Sequence, residues 1–133
     1  MTGGNPSYGL VTGGVLLVAI AALATEAVRA GAADPERGKT AFEKCAACHS
    51  LDETKVDGPS LKGVFGRKAG ALDDYRYSAA MKRSDVVWDE TTIDRYVADP
   101  QGFIKGNRMA FAGISDQTER DDLIAYLKVA TKP

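Results

Sequence analysis

The sequence predicts an all-α domain that follows an apolar N-terminal segment. Three observations predict this fold class: apolar residues recur at helical spacing behind recognisable caps, long glycine-bearing loops separate those stretches, and no strand pair or internal repeat is evident. The chain has 133 residues, 44% of them hydrophobic and 26% charged, which is typical of one soluble domain. Lys and Arg number 17 against 18 Asp and Glu, and this balance argues against a nucleic-acid-binding protein.

Residues 1–33 are predicted to direct export. The stretch from Gly9 to Ala24 carries no charge, and small residues typical of a signal cleavage site follow it. The run is shorter than the about 20 residues of a bilayer span, which favours a cleaved signal peptide. No Lys or Arg precedes it, so a retained N-terminal membrane anchor is the alternative. In both cases we expect residues 34–133 to be exported to the periplasm.

The first helix of the exported domain is predicted to begin at Asp34-Pro35-Glu36. Asp is a good cap, Pro suits the first helical position, and an acid in the first turn complements the helix dipole. Phe42, Cys45 and His49 then fall at helical spacing, so this helix presents them on one face. The stretch from Ser50 to Gly70 is predicted to be a loop.

Three further helices are predicted before the C-terminus. A short helix covers Ser78 to Arg83, and a clearer one covers Glu90 to Ala98, ended by Pro100. A second loop is expected from Gln101 to Ile114. The last helix begins at Ser115-Asp116 with Glu119 three residues on, close to a capping box. The residues expected to be buried on these helices are Ile93, Tyr96, Val97, Leu123, Leu127 and Ala130.

The motif Cys45-Ala46-Ala47-Cys48-His49 is the attachment signal of c-type haem. Two thiols three residues apart on one helical turn can each reach one vinyl group of the same porphyrin. His49 is then placed to offer an imidazole nitrogen to the iron. A covalently held porphyrin would also explain the long loops, because it would become the core around which they wrap.

Three other interpretations of the two cysteines compete with haem. A zinc site needs four ligands, usually in two separated pairs, and the chain has no second pair. A thioredoxin-like redox pair would lie in a βαβ pattern that is absent. A plain disulfide between Cys45 and Cys48 would leave His49, the one histidine of the chain, without a role.

The second axial ligand of a haem iron must come from outside the motif. No other histidine exists, which leaves Met, Lys, Tyr, water or no ligand. Met1 lies in the export segment and Met81 in a short helical stretch, where methionine usually fills the core. Met109 lies in a glycine-bearing loop far enough from His49 for the chain to encircle the porphyrin. We therefore predict His49 and Met109 as the metal ligands.

Nearly the whole exported domain, residues 34–132, resembles class I cytochrome c of the mitochondrial and bacterial c2 type. The stretches that carry the resemblance occur in order: FEKCAACHS, GPSLKGVFGRKAG, YRYSAAMK, Trp88, YVADP, GNRMAFAGI and TERDDLIAYLKVAT. The resemblance implies the class I cytochrome c fold, with helices and long loops wrapped around one haem c bound through Cys45 and Cys48. It also implies a carrier of single electrons, not an enzyme.

The resemblance assigns roles to further residues of the site. The Pro59 carbonyl would hold the other nitrogen of His49, and Phe111 would shield the haem edge. The residues implied to hydrogen-bond a haem propionate are Arg67, Tyr77 and Trp88. Those implied to lie near the Met109 sulfur are Tyr96 and Asn107, and those implied to pack the first helix against the last are Phe42, Leu123 and Tyr126.

Two residues depart from the family pattern. Lys105 stands where the family often has proline before the glycine of the methionine loop, and Met81 stands where it has an asparagine near the propionates. The first departure predicts a looser loop and a Met109 that is easier to displace. A peroxidase-like enzyme or gas sensor with a displaceable methionine is therefore the alternative function.

The resemblance also implies partners that dock at the exposed haem edge. A bc1-type complex would donate the electron, and an oxidase or a photosynthetic reaction centre would accept it from a monomeric carrier. The cations expected to ring the haem edge are Lys44, Lys62, Lys68, Lys105 and Arg108, with Asp116, Asp121 and Asp122 on the opposite side. Such a charge dipole steers docking even when the net charge is close to zero.

Overall fold

The computed structural model describes residues 1–4, 9 and 31–133. The chain divides into one unit at Met1–Ala32 and a second at Ala33–Pro133, and all the helices named below belong to the second. The predicted signal peptide or anchor at residues 1–33 lies almost entirely outside the described residues. Within the described part of the chain, no helix combines the length and apolar character that crossing a membrane requires.

Five helices form the second unit, and the all-α prediction is confirmed. In chain order they are α1 (Pro35–Ala46), α2 (Ala79–Arg83), α3 (Glu90–Ala98), α4 (Pro100–Phe103) and α5 (Gln117–Ala130). Extended pairing in residues 31–133 is limited to one isolated antiparallel bridge between Lys68 and Val87. Residues 47–78 contain no helix and form the long loop that follows the CxxCH motif.

Aspartate caps begin the three longest helices. Asp34 accepts from the backbone of Glu36, and Asp116 accepts from that of Glu119. Asp89 and Thr92 form a reciprocal capping box at the start of α3. These caps satisfy amides that have no partner within the helix.

The predicted loop from Gln101 to Ile114 is wrong at its first residues, because α4 forms there. Asp99 ends α3 and also caps α4, its side chain accepting from Gly102 N at 2.9 Å. Pro100 occupies the first helical position, where its fixed φ is favourable and its missing N–H costs nothing. The proline that ends one helix therefore begins the next.

The central packing of the unit is the crossing of α1 and α5 at Gly38. A Cβ at Gly38 would lie 2.6 Å from the Asp122 carbonyl carbon and 2.7 Å from Tyr126 Cβ, so only glycine allows the two backbones to approach this closely. The Phe42 and Tyr126 rings lie 5.7 Å apart beside the crossing, and Leu123 is 0% exposed. This crossing holds α1, whose C-terminal end carries the cysteine motif.

Burial along α5 differs from the predicted stripe at one residue. Leu123 and Leu127 are buried as predicted, whereas Ala130 is only half-buried. Ile124 and Thr131 complete the buried face instead. The reason is that α5 packs against both α1 and α3, so its buried face is broader than a single stripe.

Asp122, predicted with Asp116 and Asp121 on the side opposite the haem edge, does not carry a free surface charge. The residue is buried, and its carboxylate accepts from Arg37 Nε at 2.6 Å and Arg37 Nη2 at 2.8 Å. It also accepts from the Asp34 backbone at 2.6 Å. The hydrogen bonds from Arg37 hold the pKa of Asp122 below its usual value. Asp122 is therefore a structural link between α5 and the start of α1.

Candidate functional site

The cysteine motif lies at the C-terminal end of α1. Cys45 is in the last helical turn and packs against the core, whereas Cys48 is exposed beyond the helix. The Cys45 carbonyl accepts from Cys48 N at 3.0 Å and from His49 N at 2.9 Å, so the backbone continues to turn through the motif. Burial raises the pKa of the Cys45 thiol to about 11, which keeps it neutral at pH 7.

Gly58 and Pro59 set the orientation of the His49 ring. His49 Nδ1 lies 2.8 Å from the Pro59 carbonyl oxygen, which can only accept, so Nδ1 carries the proton and donates it. Nε2 is then the nitrogen with a free lone pair, the form that a metal requires. Gly58 permits this approach, because a Cβ there would lie 2.9 Å from both Cε1 and Nδ1 of the ring.

Met109 lies in the segment between α4 and α5 and is half-buried against the core. Its backbone N–H donates to Asn107 Oδ1 at 2.8 Å, and its carbonyl accepts from Phe111 N at 3.0 Å. Asn107 is itself buried, and its amide is bonded to main-chain groups. The resemblance implied that Asn107 lies near the sulfur; its observed hydrogen bonds connect it to the backbone that carries the sulfur.

An aromatic group joins α3 to α4. The rings of Trp88 and Tyr96 lie 5.0 Å apart, and those of Tyr96 and Phe103 lie 6.3 Å apart. Burial raises the pKa of Tyr96 to about 12, so its hydroxyl stays protonated. Neither the Tyr96 hydroxyl nor the Trp88 indole N–H donates to another residue in the described part of the chain. Phe111 is half-buried and packs against the same core.

Arg67 and Tyr77 are half-buried neighbours in the loops. Arg67 donates to the carbonyls of Lys62 at 2.9 Å and Ser60 at 2.8 Å, so part of its guanidinium supports the loop after Pro59. Burial lowers the pKa of Arg67 and raises that of Tyr77, and the charge of Arg67 acts against the rise at Tyr77. The pair thus combines a cation with a protonated phenol, and both groups recognise carboxylates.

The cations predicted to ring the haem edge differ in whether an acidic side chain pairs with them. Three of them form surface ion pairs: Lys62 with Glu53 at 2.9 Å, Lys68 with Asp85 at 3.2 Å, and Lys44 with Glu119. Such exposed pairs contribute little stability and exchange readily. Arg108 donates to the Arg76 carbonyl. Lys105 forms no ion pair with any residue that the structure describes, so its charge is unneutralised.

Sequence reasoning missed two residues that position the site. Gly58 was covered only by the predicted loop from Ser50 to Gly70, although a glycine directly before Pro59 was a usable signal. Gln101 was placed in a plain loop, yet its Nε2 donates to the Asn107 carbonyl at 3.1 Å. Met81, the departure from the family asparagine, is buried in the core as an ordinary packing residue.

The donor set fits a c-type haem. The chain offers two thiols one helical turn apart, an imidazole with Nε2 free, a thioether in a later loop, and polar Arg, Tyr and Trp groups suited to carboxylates. In the described ranges, no group of three or more His, Cys, Asp and Glu side chains could hold a metal ion. A cavity of about 280 Å³ lies beside Pro59, Arg67 and Tyr75.

Comparison with known proteins agrees with this donor set. The family model for cytochrome c matches residues 35–131. Cytochrome c-550 of Bradyrhizobium diazoefficiens is 48% identical over 68% of each chain, and cytochrome c2 of Rhodoplanes tepidamans is 45% identical over 71% of this chain and 90% of the relative. Among solved structures, cytochrome cH from Methylobacterium extorquens matches with a TM-score of 0.69 and 45% identity, covering 72% of this chain and 98% of that one.

These matches confirm the cofactor and the general function. One haem c is covalently bound through the CxxCH motif, and the protein is a monohaem electron carrier and not an enzyme. The structural match also confirms the fold, helices and long loops around a single haem. The chain belongs to the cytochrome c family, as a class I cytochrome c.

Proposed function

We propose that this chain is an exported, periplasmic carrier whose haem iron is ligated by His49 and Met109. The observation that carries the proposal is the 2.8 Å contact between His49 Nδ1 and the Pro59 carbonyl. This contact fixes the tautomer and leaves Nε2 with the free lone pair that a bond to iron requires. Cys45 and Cys48 would hold the porphyrin through thioether bonds.

Met109 would supply the second protein ligand to the iron in this proposal. Haem supplies an iron that alternates between the ferric and ferrous states. A thioether is a soft, weak donor that favours ferrous iron, so ligation by His49 and Met109 raises the reduction potential. With His49 and Met109 both bound to it, the iron would have no open position for a substrate and would serve only to accept and donate an electron.

The polar residues around the site orient and cover the porphyrin. Arg67, Tyr77 and Trp88 are suited to the propionates, because each offers an N–H or O–H donor close to or within the core. Tyr96 would lie near the Met109 sulfur, and Phe111 would shield the haem edge from water. The electron crosses that edge by outer-sphere transfer.

Docking of partners depends on the cations around the haem edge. A membrane complex of the bc1 type donates the electron, and an oxidase or a reaction centre accepts it from the monomeric carrier. The free charge of Lys105 and the exchangeable surface pairs of Lys44, Lys62 and Lys68 support a positive docking face. Electron transfer to the partner should therefore slow as ionic strength rises.

The first experiment is an intact mass of the coloured protein from its native host, with the cell fraction recorded. A chain shortened by a signal peptide within residues 1–33 and heavier by one haem, found in the soluble fraction, is the expected result. A full-length chain plus haem in the membrane fraction would establish the anchored alternative. A colourless protein without haem would overturn the assignment of Cys45 and Cys48.

The second experiment tests whether Met109 prevents an added ligand from binding to the iron. Carbon monoxide is added to the ferrous protein and to a Met109→Ala variant, and haem absorbance is followed. Slow or no binding to the unaltered protein and prompt binding to the variant is expected for a closed carrier. Prompt binding to both proteins would favour the peroxidase-like or gas-sensing alternative, in which Met109 leaves the iron.

A further inference from the structure

A network of amide hydrogen bonds holds the segment that carries Met109. Asn107 is buried, and its Nδ2 donates to the carbonyls of Pro100 at 2.7 Å and Ile104 at 2.9 Å. Its Oδ1 accepts from Met109 N at 2.8 Å. One side chain therefore connects the main chain of Met109 to the first residue of α4 and to the residue directly after that helix.

The backbone of Asn107 takes part in the same network. Its N–H donates to the Ile104 carbonyl at 3.1 Å, and its carbonyl accepts from Gln101 Nε2 at 3.1 Å. The helix that supplies these groups is itself capped, since Asp99 accepts from Gly102 N at 2.9 Å. Every polar atom of Asn107 thus has a partner, and the partners other than Met109 lie in or next to α4.

The backbone conformation of the segment from Lys105 to Met109 is not fixed by stiff residues within it. The two residues before Asn107 are Lys105, which is exposed and without an ion pair in the described part of the chain, and Gly106, with φ +86°. Glycine has the greatest backbone freedom of any residue, and a proline at position 105 would have reduced it. Here the restraint comes from side-chain amides instead.

We propose that Asn107 and Gln101 form a brace that positions Met109, in place of the backbone restraint that proline gives at position 105. This inference rests on the proposed role of Met109 as an iron ligand. Both are positioning residues, because neither acts on the iron: Asn107 holds the backbone of Met109, and Gln101 holds the backbone of Asn107. A weak thioether ligand depends on such a restraint, since loop freedom competes directly with its bond to iron.

The brace is tested by competition at the ferric iron with added imidazole. Imidazole binds when the Met109 loop opens, so its apparent affinity increases with the open population. Asn107→Ala removes three side-chain hydrogen bonds and should tighten imidazole binding by about tenfold, the equivalent of one well-formed buried hydrogen bond. Gln101→Ala removes one bond from an exposed side chain and should tighten binding by about twofold to threefold. This milder variant keeps the test valid if Asn107→Ala does not fold.

Two comparison variants separate a brace from general destabilisation. Asp122→Ala also removes three hydrogen bonds, but it acts at the junction of α1 and α5. It should leave imidazole affinity unchanged. Asn107→Asp keeps the side-chain volume but turns an oxygen towards the Pro100 and Ile104 carbonyls, so it should behave like Asn107→Ala. Equal tightening in Asp122→Ala, or wild-type affinity in Asn107→Asp, would overturn the proposal.

Hydrogen exchange at the Met109 amide gives a readout that does not depend on ligation. The Met109 N–H should exchange at least tenfold faster in Asn107→Ala, because its acceptor Oδ1 is gone. Unchanged exchange would refute the brace. A Met109→Ala variant with wild-type imidazole affinity would instead refute the ligand assignment, and the exchange result would still decide whether the brace exists.

Discussion

Replacing Gly58 with alanine should weaken the hydrogen bond between His49 and Pro59. We expect a larger effect than from adding a methyl group at any other position near the motif. A Cβ at this position would lie 2.5 Å from the Cys48 carbonyl oxygen and 2.9 Å from two atoms of the His49 ring. To regain ordinary contact the ring must retreat by about 0.5 Å. The 2.8 Å contact with Pro59 would then lengthen to about 3.3 Å, beyond the usual N–H···O range.

Two costs follow from this displacement. Overpacking a well-fitted site costs about 1–3 kcal/mol, and weakening one hydrogen bond costs about 1 kcal/mol more. The free energy of unfolding of the haem-loaded protein should therefore fall by about 2–4 kcal/mol. The reduction potential should rise by up to about 40 mV, because a His49 that donates less strongly to Pro59 is a poorer ligand for ferric iron.

The assay is guanidinium unfolding together with voltammetry of Gly58→Ala and a matched glycine variant. Gly66 has φ +83° and open space around its Cβ direction, so Gly66→Ala introduces backbone strain without touching His49. It should lower stability by about 1 kcal/mol and leave the potential unchanged. A Gly58→Ala protein with wild-type stability and potential would refute the argument that Gly58 sets the position of His49.

Three further predictions concern packing and charge. Gly38→Ala should prevent the native crossing of α1 and α5, and thermal unfolding should show a loss above about 3 kcal/mol or no folded protein. Asp122 has a lowered pKa through Arg37, so its carboxylate stabilises the fold above the unfolded Asp value near 3.9, and this contribution is lost as pH falls through the lower folded value. Asp122→Asn should therefore cost about 1–2 kcal/mol at pH 7 and progressively less as pH falls below about 3.9, measured by denaturant unfolding, and a cost that does not change with pH would contradict the linkage. Lys105→Glu should slow electron transfer to a membrane partner at low salt more than the same change at Lys39, an exposed residue of α1 outside the predicted docking cations. Identical rates would remove Lys105 from the docking face.

Local patterns predicted the helices well because their signals lie within a few residues. The capped start of α1 and the span of α3 at Glu90–Ala98 agree with the sequence expectation. The one-turn helix α4 was missed because Pro100 signals both the end of one helix and the start of another. Choosing between these requires knowing that Asp99 caps the next turn, which depends on the three-dimensional path of the chain.

The candidate site was predictable in its donors but not in their supports. The motif from Cys45 to His49 carries its own chemistry in five consecutive residues. Asn107 was assigned by resemblance to the surroundings of the Met109 sulfur, whereas its hydrogen bonds go to the main chain of α4 and of Met109. An amide side chain can form two or three hydrogen bonds with many kinds of polar group. Its position in the sequence therefore does not predict which groups it will bond.

The sequence by itself determined the fold class, the haem chemistry and the family, because helical periodicity, caps and the CxxCH spacing are local properties of the chain. Only the tertiary structure decided which groups support the ligands and which charges are buried. Asp122 shows the difference. An aspartate on a helix is normally exposed, whereas Asp122 is buried because α1 brings Arg37 to it. Contacts between segments far apart in the chain depend on how backbones cross, and the crossing at Gly38 is a property of the packed fold.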